Sequence, residues 1–275
     1  MKRSSQALFI ASGIFFSGLA VLIANPRETA PKAPETDPVT ASSVSQDAPA
    51  PPYTGESPDG PAIEANAAYA ALYDGTTLYA ENESQAWPLA SLTKLMTAVV
   101  ALENLPQSAE RDSLIRRMMV ISDNTAADTL ANTLGTDAWV ALMGKTAERL
   151  NMKRTGFSDP SGLSYLNQST VGDIYRLASY AFGKHPEIFA WSLAPSVEME
   201  GKKYPNINEF AGREGYLGGK TGFTDEANAN LLSAWQTARG PLFMIVLGTK
   251  DKTERFTQTE KLRTWLSQRF KLYEY

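Results

Sequence analysis

No cysteine occurs in the 275 residues, and histidine occurs once, at His185. The first absence excludes a cysteine nucleophile. Together the two leave no basis for a zinc site of His and Cys ligands, which needs three or four such residues. A Ser-His-Asp triad would have to use His185, but Gly183-Lys184-His185-Pro186 reads as a helix end followed by a turn, with a surface loop histidine. No basic cluster interleaves with aromatics and the net charge is −4, so no nucleic-acid partner is expected.

Long uncharged runs are also scarce, and the one from Ala7 to Ala24 stands at the amino terminus behind Lys2 and Arg3. Its length and flanks match a membrane-inserting segment. Gly18-Leu19-Ala20 offers small residues at cleavage-site spacing, yet the run exceeds most signal cores, so an uncleaved anchor is favoured over a cleaved signal peptide. The charges before it would keep the amino terminus in the cytoplasm, leaving the rest exported on the extracytoplasmic face of the membrane. Residues 25–61 are crowded with Pro, Ala, Ser, Thr and Asp and lack the large apolar residues that offset chain entropy, which reads as a disordered spacer. The organisation expected is therefore residues 1–24 as anchor or signal, 25–61 as linker and 62–275 as the globular domain.

Within that domain, alternating segments at 68–73 and 77–80 flank Asp74-Gly75, a hairpin signal. Apolar periodicity predicts helices at 91–104, 109–121, 124–134, 137–150 and 170–182, strands at 229–237 and 241–249, and a last helix at about 252–271. Strands at both ends with helices between them predict an α+β fold, an antiparallel sheet flanked by helices.

Three strings lie along this framework in order: Ser91-Leu92-Thr93-Lys94, Ser122-Asp123-Asn124 and Lys220-Thr221-Gly222. Residues i and i+3 share a helix face, so Lys94 can reach Ser91. A serine hydroxyl needs a base, and an amine whose pKa is lowered by burial and a nearby cation can serve; Lys220 is the candidate cation.

The set resembles that of the serine D-Ala-D-Ala carboxypeptidases among the low-molecular-mass penicillin-binding proteins, a signature shared with class A β-lactamases. The surroundings agree: Pro88-Leu89-Ala90-Ser91-Leu92-Thr93-Lys94-Leu95-Met96-Thr97 is close to the family's nucleophile helix, and Phe157-Ser158-Asp159-Pro160-Ser161-Gly162-Leu163 is similar to its downstream loop. The resemblance covers roughly residues 64–250 and implies a β-lactamase/DD-peptidase-like fold. It implies that Ser91 attacks the carbonyl between two D-alanines, that Lys94 is general base, that Ser122 passes protons to the leaving amine and that Asn124 orients Lys94 and the substrate amide. Lys220 and Thr221 would hold the terminal carboxylate, and the backbone N–H groups of Ser91 and Phe223 would meet the oxyanion. Gly222 would let the strand approach the substrate backbone. Peptidoglycan stem peptides are the implied substrates and β-lactams the implied covalent inhibitors, with no metal or organic cofactor.

Only 27 residues separate Lys94 from Ser122, fewer than the family usually carries, so a shortened helical region and a reshaped cleft wall are expected. Membrane attachment is expected to rest on residues 7–24. A class A β-lactamase would need a glutamate roughly 35 to 40 residues beyond the Ser-Asp-Asn string to activate deacylating water. None occurs between Glu148 and Glu187. DD-endopeptidase action on cross-links is an alternative with the same chemistry, and a non-catalytic penicillin- or peptidoglycan-binding module is one from another class. Trp87, Trp139, Trp191 and Trp235 read as core or cleft-wall aromatics, Met118 and Met119 as packing, Arg116 and Arg117 as a solvated face, and Arg213 with Glu214 as a surface ion pair. Helix capping is the alternative reading of Ser122 and Asn124.

Overall fold

The computed structural model describes residues 60–272. The anchor expected at 7–24 and the linker up to residue 59 lie outside them, and among the described residues no helix is long and apolar enough to cross a membrane.

Strands β1 (Ala67–Leu72) and β2 (Thr77–Glu81) form the expected hairpin. Its turn is set locally: the Asp74 carboxylate accepts from the Thr76 N–H at 2.8 Å, and Gly75 takes a φ of +92° that a side chain would oppose. The two-residue β3 (Trp87–Pro88) leads through a 3-10 turn at Ala90–Leu92 into α1 (Thr93–Asn104). Then come α2 (Ala109–Ile121), α3 (Asn124–Asn132), α4 (Thr136–Arg149), the short β4 (Gln168–Ser169) and α5 (Val171–Lys184). Side chains cap three of these helices: Ser108 accepts from the Arg111 N–H, Asp123 from Ala126 and Thr170 from Asp173.

Several short elements were not foreseen, among them one helix and a second hairpin. Pro186 opens α6 (Pro186–Ser192), fitting the first helical position where a missing N–H costs nothing. Its short length hides it from periodicity. A second hairpin, β5 (Ser196–Met199) with β6 (Lys202–Pro205), is mostly polar and exposed, so no apolar alternation marks it. Last come β7 (Tyr216–Thr224), β8 (Asn228–Thr237), β9 (Gly240–Thr249) and α7 (Glu254–Phe270).

The main sheet is antiparallel in the order β2-β1-β9-β8-β7, which brings the two ends of the domain together and leaves β7 at an edge. Both sheet faces are covered, so β1 and β9 are apolar at successive positions. Tyr69, Ala71, Phe243 and Ile245 face the core shared with α1 to α6. Ala70, Leu72, Met244 and Val246 face the core shared with α7. This is the expected α+β arrangement, with helices on both faces of one sheet.

Three expectations about charged groups are corrected. His185 sits at the α5–α6 junction with its side chain only 17% exposed, its Nε2 3.3 Å from Glu103 Oε1; the new helix at Pro186 turns the ring inward instead of leaving it on a loop. Glu103 also accepts from Arg149 at 2.7 Å, tying α1, α4 and α5 together. Arg117 pairs with Asp123 at the α2–α3 turn, so only Arg116 is on the solvated face. Arg213 pairs with Glu260 of α7 at 3.5 Å, and not with Glu214.

Candidate active site

Ser91 lies in the 3-10 turn just before α1, and the turn is fixed from three sides. The Asn167 carbonyl accepts from the Leu89 N–H at 2.8 Å. Asn230 of β8 donates to the carbonyls of Pro88 at 2.9 Å and Leu89 at 3.1 Å, and its own Oδ1 accepts from the Gly248 N–H of β9. From the third side Gly162 presses on Ala90, where an added Cβ would lie 1.9 Å from the carbonyl oxygen. Ala90 itself has a φ of +46°, a left-handed conformation costing an alanine roughly 1–2 kcal/mol. The residue before the nucleophile is thus held in strain by its neighbours.

Lys94, the second residue of α1, is fully buried. Its Nζ lies 2.9 Å from Ser91 Oγ and 2.7 Å from Asn124 Oδ1, and it donates to the Ser161 carbonyl. The last two partners can only accept. When the amine is neutral its two N–H bonds are held by them, which turns the lone pair to Ser91, the one partner with a proton to give. Burial lowers the Lys94 pKa to about 8, against the opposing pull of Asp159, Asp128 and Asp123. Lys94 is therefore suited to accept a proton near neutral pH.

The Ser161 carbonyl is placed by Asp159. Its carboxylate accepts from Ser161 N and Oγ, Gly162 N and Ser164 N at 2.6 to 2.8 Å. Burial works against this charge, but the hydrogen bonds from Ser164, Ser161 and Gly162 outweigh it and hold the carboxyl below its ordinary pKa.

Ser122 ends α2 with a left-handed φ of +59°, and Asn124 begins α3. Capping and chemistry are divided among neighbours here. Asp123 caps α3 and takes a charge-assisted pair from Arg117, with Nε at 2.8 Å, which leaves the Ser122 hydroxyl and the Asn124 amide free to face the lysines.

Across the cleft, edge strand β7 supplies Lys220, 1% exposed, whose Nζ donates to Ser122 Oγ at 2.9 Å and to the Thr221 carbonyl at 2.8 Å. Burial first, then Lys94 and Arg255, push the Lys220 pKa well down. Thr221 is buried beside it, and Phe223 is 37% exposed at the rim with Lys252 Nζ 4.5 Å above its ring. Gly222 also has a packing role that its sequence neighbours do not show. A Cβ there would lie 2.9 Å from the Leu89 carbonyl oxygen, so the absent side chain lets β7 pack against the nucleophile turn. Arg255 of α7 donates to the Gly222 carbonyl at 3.2 Å from behind.

The structure thus gathers Ser91, Lys94 and Asn124 into one hydrogen-bonded group and Ser122 with Lys220 into another, with Thr221, Gly222 and Phe223 following Lys220 on β7. Sequence reasoning assigned no role to Asp159, Asn167, Asn230 or Arg255. A signal existed for two: Asp-Pro-Ser-Gly is turn chemistry, and Asn230 interrupts a buried apolar strand.

A family model described as D-alanyl-D-alanine carboxypeptidase matches residues 105–251, a span holding the second and third strings, with Ser91 and Lys94 just before it. A D-alanyl-D-alanine endopeptidase of Pseudomonas aeruginosa is 32% identical over 230 residues, covering 70% of this chain and 73% of that protein. The D-alanyl-D-alanine carboxypeptidase DacD of Salmonella typhimurium is 28% identical over 255 residues, covering 78% of this chain and 65% of that one. Among solved structures, penicillin-binding protein D2 of Listeria monocytogenes in its ampicillin-bound form superposes with a TM-score of 0.69 at 31% identity, covering 75% of this chain and 98% of that one.

Proposed function

This chain belongs to the D-alanyl-D-alanine carboxypeptidase family and is a serine DD-peptidase, and from that premise we propose how its residues divide the reaction. Neutral Lys94 takes the Ser91 proton as Oγ attacks the carbonyl between the two D-alanines. The N–H groups of Ser91 and Phe223 receive the oxyanion, and Lys220 with Thr221 holds the free carboxylate of the leaving residue. Ser122, hydrogen-bonded to Lys220 at 2.9 Å, returns a proton to the departing amine. Asn124 keeps the base aimed, and water then releases the acyl group from Ser91.

The observation that carries this reading is the 2.9 Å contact of Lys94 Nζ with Ser91 Oγ, with the amine's other two partners restricted to acceptors. An assembled nucleophile, base and proton relay has no use in a passive binder. A β-lactam should acylate the same serine and persist, since no glutamate lies between Glu148 and Glu187 to activate a deacylating water. Endopeptidase action is a second reading supported by the name of the Pseudomonas relative: the chemistry is identical and only the leaving group is larger. We further propose that residues 7–24 tether the enzyme to the extracytoplasmic face of the membrane, with 25–61 as spacer, supported by the uncharged run behind Lys2 and Arg3.

Intact-mass spectrometry of the full chain with benzylpenicillin tests the assignment. A lasting adduct on the wild type and none on Ser91→Ala is expected, together with D-Ala release from a pentapeptide. An adduct that survives Ser91→Ala would refute the nucleophile, and rapid turnover of the drug would favour a β-lactamase.

A further inference from the structure

Phe223 is the one residue of β7 left exposed, and it stands on the edge of the sheet, where an incoming chain would lie. Its side chain has a defined face. Thr221 and Phe223 pair with Leu231 and Ala229 of β8, whereas Lys220 pairs with Leu232; Leu231 belongs to the core shared with α7 and Leu232 to the core shared with α1 to α6. Cross-strand partners and alternate residues keep to one face, so Thr221 and Phe223 share the α7 face while Lys220 enters from the other. Over the Phe223 ring lies the turn from β9 into α7, with Lys252 Nζ 4.5 Å from the ring centre. The turn is firmly held: Thr249 Oγ1 donates to the Ala229 carbonyl at 3.1 Å, and the Asp251 carboxylate accepts from the Thr253 and Glu254 N–H groups at 2.9 Å. Lys252 itself is exposed and pairs with no carboxylate among the described residues.

This pair adjoins the part of the site that receives the leaving residue. Two residues of strand carry the chain about 7 Å from Thr221 to Phe223. A departing D-alanine has only a methyl group beyond the carboxylate held at Lys220 and Thr221, and it ends short of Lys252. The departing residue of a cross-link is a diamino acid, whose methylene chain runs on to a second stem peptide with carboxylates of its own. An exposed aromatic ring is a surface for such methylenes, and a free ammonium over it is a partner for one of those carboxylates. We propose that Phe223 and Lys252 form a subsite for the cross-linked leaving group, the ring taking the methylene chain and Lys252 a carboxylate of the second stem. This assignment rests on the DD-peptidase reading and deepens it towards cross-link cleavage.

The test measures, with the full-length enzyme, D-Ala release from a monomeric pentapeptide and cleavage of a stem-peptide dimer joined through D-alanine and a diamino acid. Lys252→Ala should lower kcat/KM for the dimer about threefold, mostly through KM, and Lys252→Glu about tenfold, with Lys252→Arg restoring the wild-type value. Pentapeptide cleavage and acylation by benzylpenicillin should stay unchanged in Lys252→Ala and Lys252→Arg, which reports an intact centre. Amidating the carboxylates of the second stem should cost the wild type the same factor and leave Lys252→Ala unaffected. Phe223→Ala should lower the ratio of dimer to pentapeptide cleavage by about tenfold. A wild type that cleaves the pentapeptide and not the dimer, a ratio unmoved by Lys252→Glu, or an equal loss from Lys250→Ala on the same turn would overturn the subsite. Should neither peptide be cleaved, the DD-peptidase reading fails, and equal affinity of Ser91→Ala and of the double variant Ser91→Ala with Lys252→Glu for the dimer would separately refute the subsite.

Discussion

Lys94 in the helical wall and Lys220 in the sheet wall are both buried amines whose pKa is lowered by desolvation, yet the site asks opposite things of them. Lys94 is surrounded by three oxygen partners and by the nearby carboxylates of Asp159, Asp128 and Asp123, and it must lose a proton to work. Lys220 has one hydroxyl and its neighbour's carbonyl, with Lys94 and Arg255 repelling its charge, and it must be cationic to hold a carboxylate. One residue type becomes base or anion receptor according to what surrounds it. The difference also shows why the substrate matters to the second lysine: an arriving carboxylate supplies the counter-charge that the free site withholds.

The widest separation of the two walls should come from exchanging each lysine for arginine. Arginine is not deprotonated in proteins, so Lys94→Arg should lower the acylation rate by about 10²–10⁴, the usual contribution of a general base. Lys220→Arg keeps the cation and should lose only about tenfold, chiefly in KM. Equal losses measured with a fluorescent penicillin and a D-Ala-D-Ala peptide would erase the distinction.

A smaller effect tests the scaffold under the helical wall. Gly162→Ala must relieve a Cβ placed 1.9 Å from the Ala90 carbonyl at a φ of +85°. The backbone penalty and the overlap together should cost about 3 kcal/mol, read as a lower Tm, with acylation slowed because Ala90 and Ser91 shift. An unchanged Tm would show that the loop gives way without disturbing the nucleophile.

The mildest probe is pH. With the Lys94 pKa lowered to about 8, its neutral fraction rises roughly tenfold per unit up to that point, and kcat should follow before levelling. Lys220 behaves in the reverse sense: carboxylate binding takes up a proton, so KM for a free-acid peptide should rise with pH while a carboxyl-terminal amide shows no such trend. Stability carries the same signature. The folded chain binds fewer protons than the unfolded chain between pH 8 and the unfolded lysine value of about 10.4, so it should gain stability across that window. Lys94→Met should lose its share of that slope.

The portions of this design that were legible in the sequence are those encoded locally. Ser91 and Lys94 meet because a helix brings i and i+3 together, and the hairpin at Asp74-Gly75 follows from turn chemistry. The long strands β8 and β9 and the helices at 109–121 and 124–132 likewise follow from local apolar patterns. What escaped depends on distant partners. Nothing near Asn230 in sequence discloses that its amide would hold Pro88 and Leu89, more than a hundred residues away. The contact of Gly222 with the nucleophile turn is likewise hidden, because the two are adjacent only in the fold. The same holds for Arg117 and Arg213, whose partners come from a tight turn and from α7.

The sheet order has a consequence for the timing of synthesis. Lys220 follows Ser91 by 129 residues, and β1 acquires its partner β9 only when residues 240–249 exist. At translation speeds of about 5–20 residues per second, the nucleophile helix waits roughly ten seconds for the strand that completes its cleft. An unfinished chain therefore carries a serine without its anion receptor and a nucleophile turn without the Asn230 that holds Pro88 and Leu89. Reactivity arises with the closing of the sheet and not with the appearance of the serine, so neither wall peptides nor β-lactams meet a competent centre before the last strands are made.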